Sequence, residues 1–265
     1  TKIESPAGDE MRFIGPRGPS GRSLFFDAIN AGKRSMRLDL KSAEGKARLI
    51  ELASTADVLI ESFRPGVMAR LGVGAEVLRA AHPRLVYIAM SGYGQDGPMR
   101  DVAGHDANYL AFNGLLRATG SAHAPAYIHP PLADCTASMF ALSAVLGALI
   151  ARGRDGQGCV IDLALVDVTM PFQLFSLASL GFAGHVPKAE QEFLNGGWAC
   201  YRPYRLRDDV VVALGAIEAH FWNAFCQASG RPEWIGRHDE VLPQRALIAD
   251  IEAHFSSLST ADFEA

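Results

Sequence analysis

The chain holds 265 residues, 49% of them hydrophobic, enough to bury a large core in one big domain or two smaller ones. A formal net charge of -4, without clustered basic excess, argues against nucleic acid or an anionic membrane surface as a partner. The four cysteines, Cys135, Cys159, Cys200 and Cys226, lack metal or redox spacing, so the reading is a reduced, cytoplasmic protein with no metal site.

The chain opens at "TKIESPAGDE" without Met and closes at "STADFEA" inside a polar helical pattern, so residues are expected to be missing at both ends. "SMRLDLK", "EGKARLIELASTA", "DVLIESF", "GVGAEVLRAA" and "RLVYIAMSGYG" then alternate strand-like and amphipathic helical runs. That alternation argues for βαβ units and a parallel sheet, with right-handed crossovers. In "DVLIESFRPG", Pro65 stops the strand and Gly66 allows a turn into the next helix. "YIAMSGYGQDGP" repeats the arrangement, and ligands of open α/β sheets bind outside such carboxyl ends.

"AGHDANYLAFNGLL" (103–116) runs a Gly-His-Asp turn into an apolar helical stripe. Asp106 suits a helix cap with His105 as a bystander, and the same pair suits proton chemistry. "PPLADCTASMFALSAVLGAL" sets Asp134 just before a long apolar helix, where a carboxylate serves as an N-cap or as an aimed base or nucleophile. "MFALSAVLGALIA" (139–151) is too short to span a bilayer and reads as a buried core helix. No signal peptide is visible.

After residue 160, "VIDLALVDVTMPFQLFSLASLGFAG" reads as a strand or helix followed by an apolar helix. Residues 186–197, "VPKAEQEFLNGG", read as a polar passage between domains, with Gly196 and Gly197 as linker or as a ligand-covering loop. "YRPYRLRDDVVVALGAI" predicts an antiparallel hairpin, and "EAHFWNAFCQAS" and "RALIADIEAHFSS" predict helices. Glu218 stands where strand gives way to helix, placed to favour the helix start or to tune a histidine. No GxGxxG, Walker A, HExxH or GxSxG pattern is present, which removes the dinucleotide and P-loop readings.

These pieces in this order resemble the family III CoA-transferase superfamily, the CaiB/BaiF type, which holds CoA-transferases and α-methylacyl-CoA racemase. The matching stretches include "ADVLIESFRPGVMARLGVG", "HPRLVYIAMSGYGQDGP", "GHDANYLAFNGLL", "LADCTAS" and "GGWACYRPYRLRDDVVVALGAIEAHFW". The resemblance implies an α/β fold: a Rossmann-like large domain over 1–185, a linker over 186–199 carrying the glycine loop, and a small α+β domain over 200–265. It further implies a homodimer of interlocked subunits, with the active site between one subunit's large domain and the other's small domain.

The same resemblance implies an acyl-CoA substrate, with coenzyme A as part of that substrate and no prosthetic group. Asp134 matches the superfamily's catalytic aspartate, which is nucleophilic in the transferases and one of two bases in the racemases. His105 of "GHD" matches the racemase's other base, and Glu218 of "GAIE" the small-domain glutamate that supports it; both favour the racemase branch. The start of the Asp134 helix is a candidate donor to the enolate oxygen. Phe63, Arg64, Arg70 and Leu71 match contacts to the CoA nucleotide, and Gly196 and Gly197 match a mobile loop over the active carboxylate. The sequence departs from the racemases at Cys135–Ser138, where relatives carry a glycine-rich run, and at Ser5 and Pro130, where relatives carry Arg and Asn.

The first reading is therefore an epimerase acting at the α-carbon of a branched acyl-CoA. The second is a CoA-transferase working through an aspartyl-CoA thioester, and the third a CoA-binding subunit without catalysis.

Overall fold

The computed structural model describes residues 1–121 and 123–264. The chain divides into two units: residues 1–103 with 136–167, and residues 104–135 with 168 to the C-terminal end. The boundaries that the resemblance implies, near 185 and near 199, lie within the span of the second unit.

The first unit begins with β1 (Lys2–Glu4), a 3-10 turn (Glu10–Phe13), α1 (Leu24–Ile29) and β2 (Ser35–Arg37). β1 and β2 pair in parallel, with Ile3 opposite Met36. The βα alternation follows as α2 (Ala43–Ser54), β3 (Val58–Glu61), α3 (Val67–Arg70), α4 (Ala75–Ala81) and β4 (Val86–Ser91). β5 (Val160–Ala164) completes a parallel sheet in the order β3-β4-β5. In its register Ile60 faces Ile88, and Ile88 faces Ile161. β4 is the central strand and is buried on both faces through Val86, Tyr87, Ile88 and Ala89, as its unbroken apolar run requires. Ser42 caps α2 through its hydroxyl, and Leu49 and Ala53 turn that helix's apolar side into the core with Met68, Val73 and Leu78.

The second unit holds α5 (Asp106–Phe112) and α6 (Leu115–Ala118). "ANYLAFNGLL" is thus two short helices, because Gly114 takes a left-handed φ of 82° and Asn113 Oδ1 accepts from the Leu115 N–H. α7 (Leu132–Asp155) starts in this unit and continues into the first. After β5 come α8 (Leu165–Val168), a 3-10 turn (Met170–Gln173) and α9 (Leu174–Ala183). The expected hairpin is β6 (Tyr201–Arg205) against β7 (Val211–Gly215), antiparallel, with Pro203 opposite Ala213. α10 (Ala219–Ala228), a 3-10 turn (Pro232–Arg237), α11 (Arg245–Ser257) and α12 (Thr260–Glu264) follow. Trp198, Tyr204, Trp222, Trp234, Ile251 and Phe255 pack into one aromatic-rich core around the hairpin.

α7 departs from the expected buried core helix in two ways. It runs for 24 residues, long and apolar enough by length and composition to cross a membrane, and only 22% of its apolar window is buried within this chain. Met139, Leu142, Leu146 and Ile150 recur every three or four residues and are 71%, 60%, 53% and 63% exposed, so one face of the helix lies bare. α9 is equally uncovered at Leu174 and Phe175, and Phe182 is 95% exposed.

Candidate active site

The second unit brings the starts of α5 and α7 together through a single carboxylate. Asp106 is the first residue of α5 and is buried, and its Oδ1 accepts from the main-chain N–H of Ala133 at 2.6 Å and of Asp134 at 3.4 Å. Asp106 therefore caps α7, not its own helix as the sequence suggested. The N-cap of α5 is His105, whose main-chain N–H donates to Asn108 Oδ1 at 2.9 Å. Tyr109 ties the preceding turn by donating its hydroxyl to the Gly104 carbonyl at 2.6 Å. Further along, Gln173 donates to the Asn113 carbonyl and Asn113 to Thr169, fixing the far end of α5 through buried groups.

Asp134 is the third residue of α7, within its first turn rather than at the cap. It keeps a solvent-exposed surface, yet the protein around its carboxyl disfavours the charge and raises its pKa above the usual aspartate value. The negative charge of Asp106 pushes the same way, and a charge on His105 opposes both. His105 and Asp134 thus sit within electrostatic reach of one another, and both reach solvent.

The start of α7 does not offer its N–H groups to a ligand as expected. Those of Ala133 and Asp134 are committed to Asp106, and that of Cys135 to the Pro131 carbonyl at 3.0 Å. Among the described residues, the N–H groups of Asp106 and Ala107, at the open start of α5 beside His105, have no acceptor within the chain.

Glu218 occupies the N-cap position of α10, where its carbonyl accepts from the Phe221 and Trp222 N–H groups while its side chain caps nothing. Among the described residues no hydrogen bond or ion pair joins Glu218 to His105 within one chain, and its side chain faces solvent.

The glycine loop is a pinned turn. Gly197 N–H donates to the Glu192 carbonyl, Gln244 N–H donates to the Gly197 carbonyl, and Arg202 Nη1 donates to the Gly196 carbonyl at 3.1 Å. A Cβ on Gly197 would stand 2.4 Å from the Gln191 carbonyl carbon, so this glycine is required by close backbone approach. Gly196 has a φ of 99°, a conformation that side chains disfavour.

In the first unit, the residues expected at the CoA nucleotide follow β3. Phe63, Arg64 and Arg70 are exposed, Leu71 is half-buried, and Gly66 turns the chain into α3 with a φ of 77°. Sequence reading missed Glu61, whose Oε2 accepts from the Phe63 N–H at 2.8 Å and so ties the loop back to its strand. Burial raises the pKa of Glu61, and Tyr87 donates to its other oxygen at 3.3 Å. Glu61, Gly66, Met68, Tyr87, Gln95 and Arg100 line a cavity of about 380 Å3 beside this loop. The signal for Glu61 lay in "ESF", an acid two residues before a solvent-facing N–H, a local bond that residue types alone do not announce. No group of three His, Cys, Asp or Glu side chains suited to a metal ion occurs among the described residues.

Parallel βαβ units, a glycine-turned loop after β3 and an acid–imidazole pair at two helix starts define an α/β enzyme-like architecture rather than a structural module. The chain belongs to CoA-transferase family III, whose family model matches residues 1–265. It is 34% identical over 269 residues to acetyl-CoA:oxalate CoA-transferase of Acetobacter aceti, covering 98% of this chain and 68% of that protein. It is 38% identical over 248 residues to α-methylacyl-CoA racemase of Mus musculus, covering 92% of this chain and 62% of that one. A crystal structure of a CaiB/BaiF family protein from Brucella suis superposes with a TM-score of 0.83 at 28% identity, covering 99% of this chain and 72% of the other. The chain thus spans roughly two thirds of these relatives' length.

Proposed function

We propose that the protein is an acyl-CoA epimerase that inverts the α-carbon of a 2-methylacyl-CoA by 1,1-proton transfer, with His105 and Asp134 as the two bases. The observation that carries this reading is the joining of His105 and Asp134 at adjacent helix starts, with the Asp134 carboxyl inclined to hold a proton. The thioester acidifies the α-hydrogen. Neutral His105 removes it from one face, leaving a planar enolate, and the protonated Asp134 returns a proton to the other face. The imidazolium and carboxylate so formed run the reverse direction. The free N–H groups of Asp106 and Ala107 are the donors best placed to meet the enolate oxygen.

Phe63, Arg64, Arg70 and Leu71 would hold the CoA nucleotide, the two guanidiniums meeting phosphate, with the loop shape set by Glu61. The protein acts in the cytoplasm as a homodimer of interlocked subunits, in which the bare faces of α7 and α9 are covered by protein and not by lipid. In such a dimer Glu218 of one copy orients His105 of the other, which accounts for its solvent-facing place in a single chain. Incubation of 2-methylacyl-CoA with the full-length protein in D2O is expected to load deuterium at the α-carbon of both epimers, and an intact dimer that leaves the α-hydrogen untouched overturns the reading.

The likeness to acetyl-CoA:oxalate CoA-transferase supports a second reading, in which Asp134 attacks the thioester, forming a mixed anhydride and expelling CoA thiolate, which then attacks the aspartyl carbonyl to give an aspartyl-CoA thioester and release the acyl group as a carboxylate. A hydroxylamine-trapped Asp134 adduct, read by mass, together with CoA appearing on an added carboxylic acid, would establish that reading instead.

A further inference from the structure

Asp106 is the unexplained group of the site. It is buried, its Oδ1 serves two N–H groups of α7, and its Oδ2 is sealed from water without a hydrogen-bond partner among the described residues. A helix cap needs only the first oxygen. Serine, threonine or asparagine would cap equally well and would avoid burying an anion.

We propose that Asp106 is a positioning residue of the proton-transfer pair: one oxygen fixes the backbone of Asp134, and the carboxylate holds a second negative charge against it. The inference rests on the two-base reading of the site.

A two-base epimerase alternates between two resting forms, one with Asp charged and His protonated and one with both groups neutral. At ordinary side-chain pKa values of about 3.9 and 6.5, the charged pair is favoured by roughly 400-fold, and one direction of turnover would start from a scarce form. A neighbouring negative charge narrows that gap by making the proton on Asp134 harder to lose. Among the described residues, Asp106 and His105, both from the start of α5, bear on the Asp134 charge, Asp106 in the required direction and His105 against it. No net proton or electron is consumed: each proton taken by one base is matched by one given by the other.

The test is Asp106→Asn in the full-length protein, since asparagine keeps the accepting oxygen and removes the charge. The titration of the Asp134 carboxyl, followed by NMR with carbon-13-labelled aspartate and assigned with Asp134→Asn, is expected to move down toward the ordinary aspartate value. The limb of the exchange profile that Asp134 governs should move with it. Asp106→Ser, which retains a capping oxygen of another shape, is expected to do the same and serves if the asparagine variant folds poorly. An Asp134 midpoint unchanged in both variants, whatever happens to melting temperature, overturns the inference and leaves Asp106 a cap alone. A lowered midpoint in an enzyme that exchanges no α-hydrogen would uphold the charge device and remove the epimerase reading, so the two failures separate.

Discussion

Asp134 carries a raised pKa, so at neutral pH the folded state bears a charge it disfavours; its stabilising effect is whole below the ordinary aspartate value and is lost as pH rises through the folded value. Asp134→Asn is therefore expected to raise the melting temperature at pH 7 while reducing α-deuterium exchange by about 100-fold or more, and melting curves beside exchange assays check both. Glu4 illustrates the opposite sign. Its carboxylate accepts from Arg12 at 2.8 and 2.7 Å and is held below the ordinary value of 4.5, chiefly by that pairing. Its stabilisation is present above pH 4.5 and is lost on acidification through the lowered value, so wild type should lose melting temperature in acid more steeply than Glu4→Gln. His105 and Asp134, both candidates from sequence, are neighbours, whereas Asp106, which local pattern suggests for the start of α5, caps α7 instead. Twenty-seven residues separate Asp106 from Ala133, and no local pattern announces so distant a bond.

Elements were legible where a period or a breaker spoke. β3, β4 and the β6–β7 hairpin follow from their apolar patterns, and Gly66 makes the turn that "FRPG" promised. α5 was overextended because an apolar stripe continues through "FNGLL", and Gly114 breaks it by a backbone angle that the stripe does not reveal. At this scale Asp106→Ala, which removes cap and charge together, is expected to destabilise the protein by about 1 kcal/mol in chemical denaturation, with the loss at the start of α7 visible in hydrogen exchange. Gly197→Ala would force a methyl group against the Gln191 carbonyl carbon. It is expected to cost about 2 kcal/mol of stability and to disturb the glycine loop, read by denaturation and by proteolysis between residues 186 and 197.

For the whole molecule, the bare helix faces decide what must be measured. Isolated exposed leucines are ordinary, but Met139, Leu142, Leu146 and Ile150 form a continuous stripe, and α9 adds a second apolar helix. On the proposed interlocked dimer, replacing Leu142 and Leu146 together by Asp is expected to yield a monomer in sedimentation equilibrium and to remove the proposed α-deuterium exchange, because Glu218 would then lack a partner subunit. A variant that stays dimeric and active would place the interface elsewhere.

Residue order alone was sufficient for the family, the parallel βαβ pattern and the hairpin, and it singled out Asp134 and His105 as candidates. Each of these is written either in a local period or in a contiguous motif, and local interactions suffice to express it. The tertiary structure decided that Asp106 caps α7, that Asp106 bears on the Asp134 charge, that Glu61 ties down the loop after β3 and that α7 leaves its apolar stripe uncovered. Those depend on which distant segments touch and on what remains for water to reach, and neither quantity is a property of any short stretch of chain.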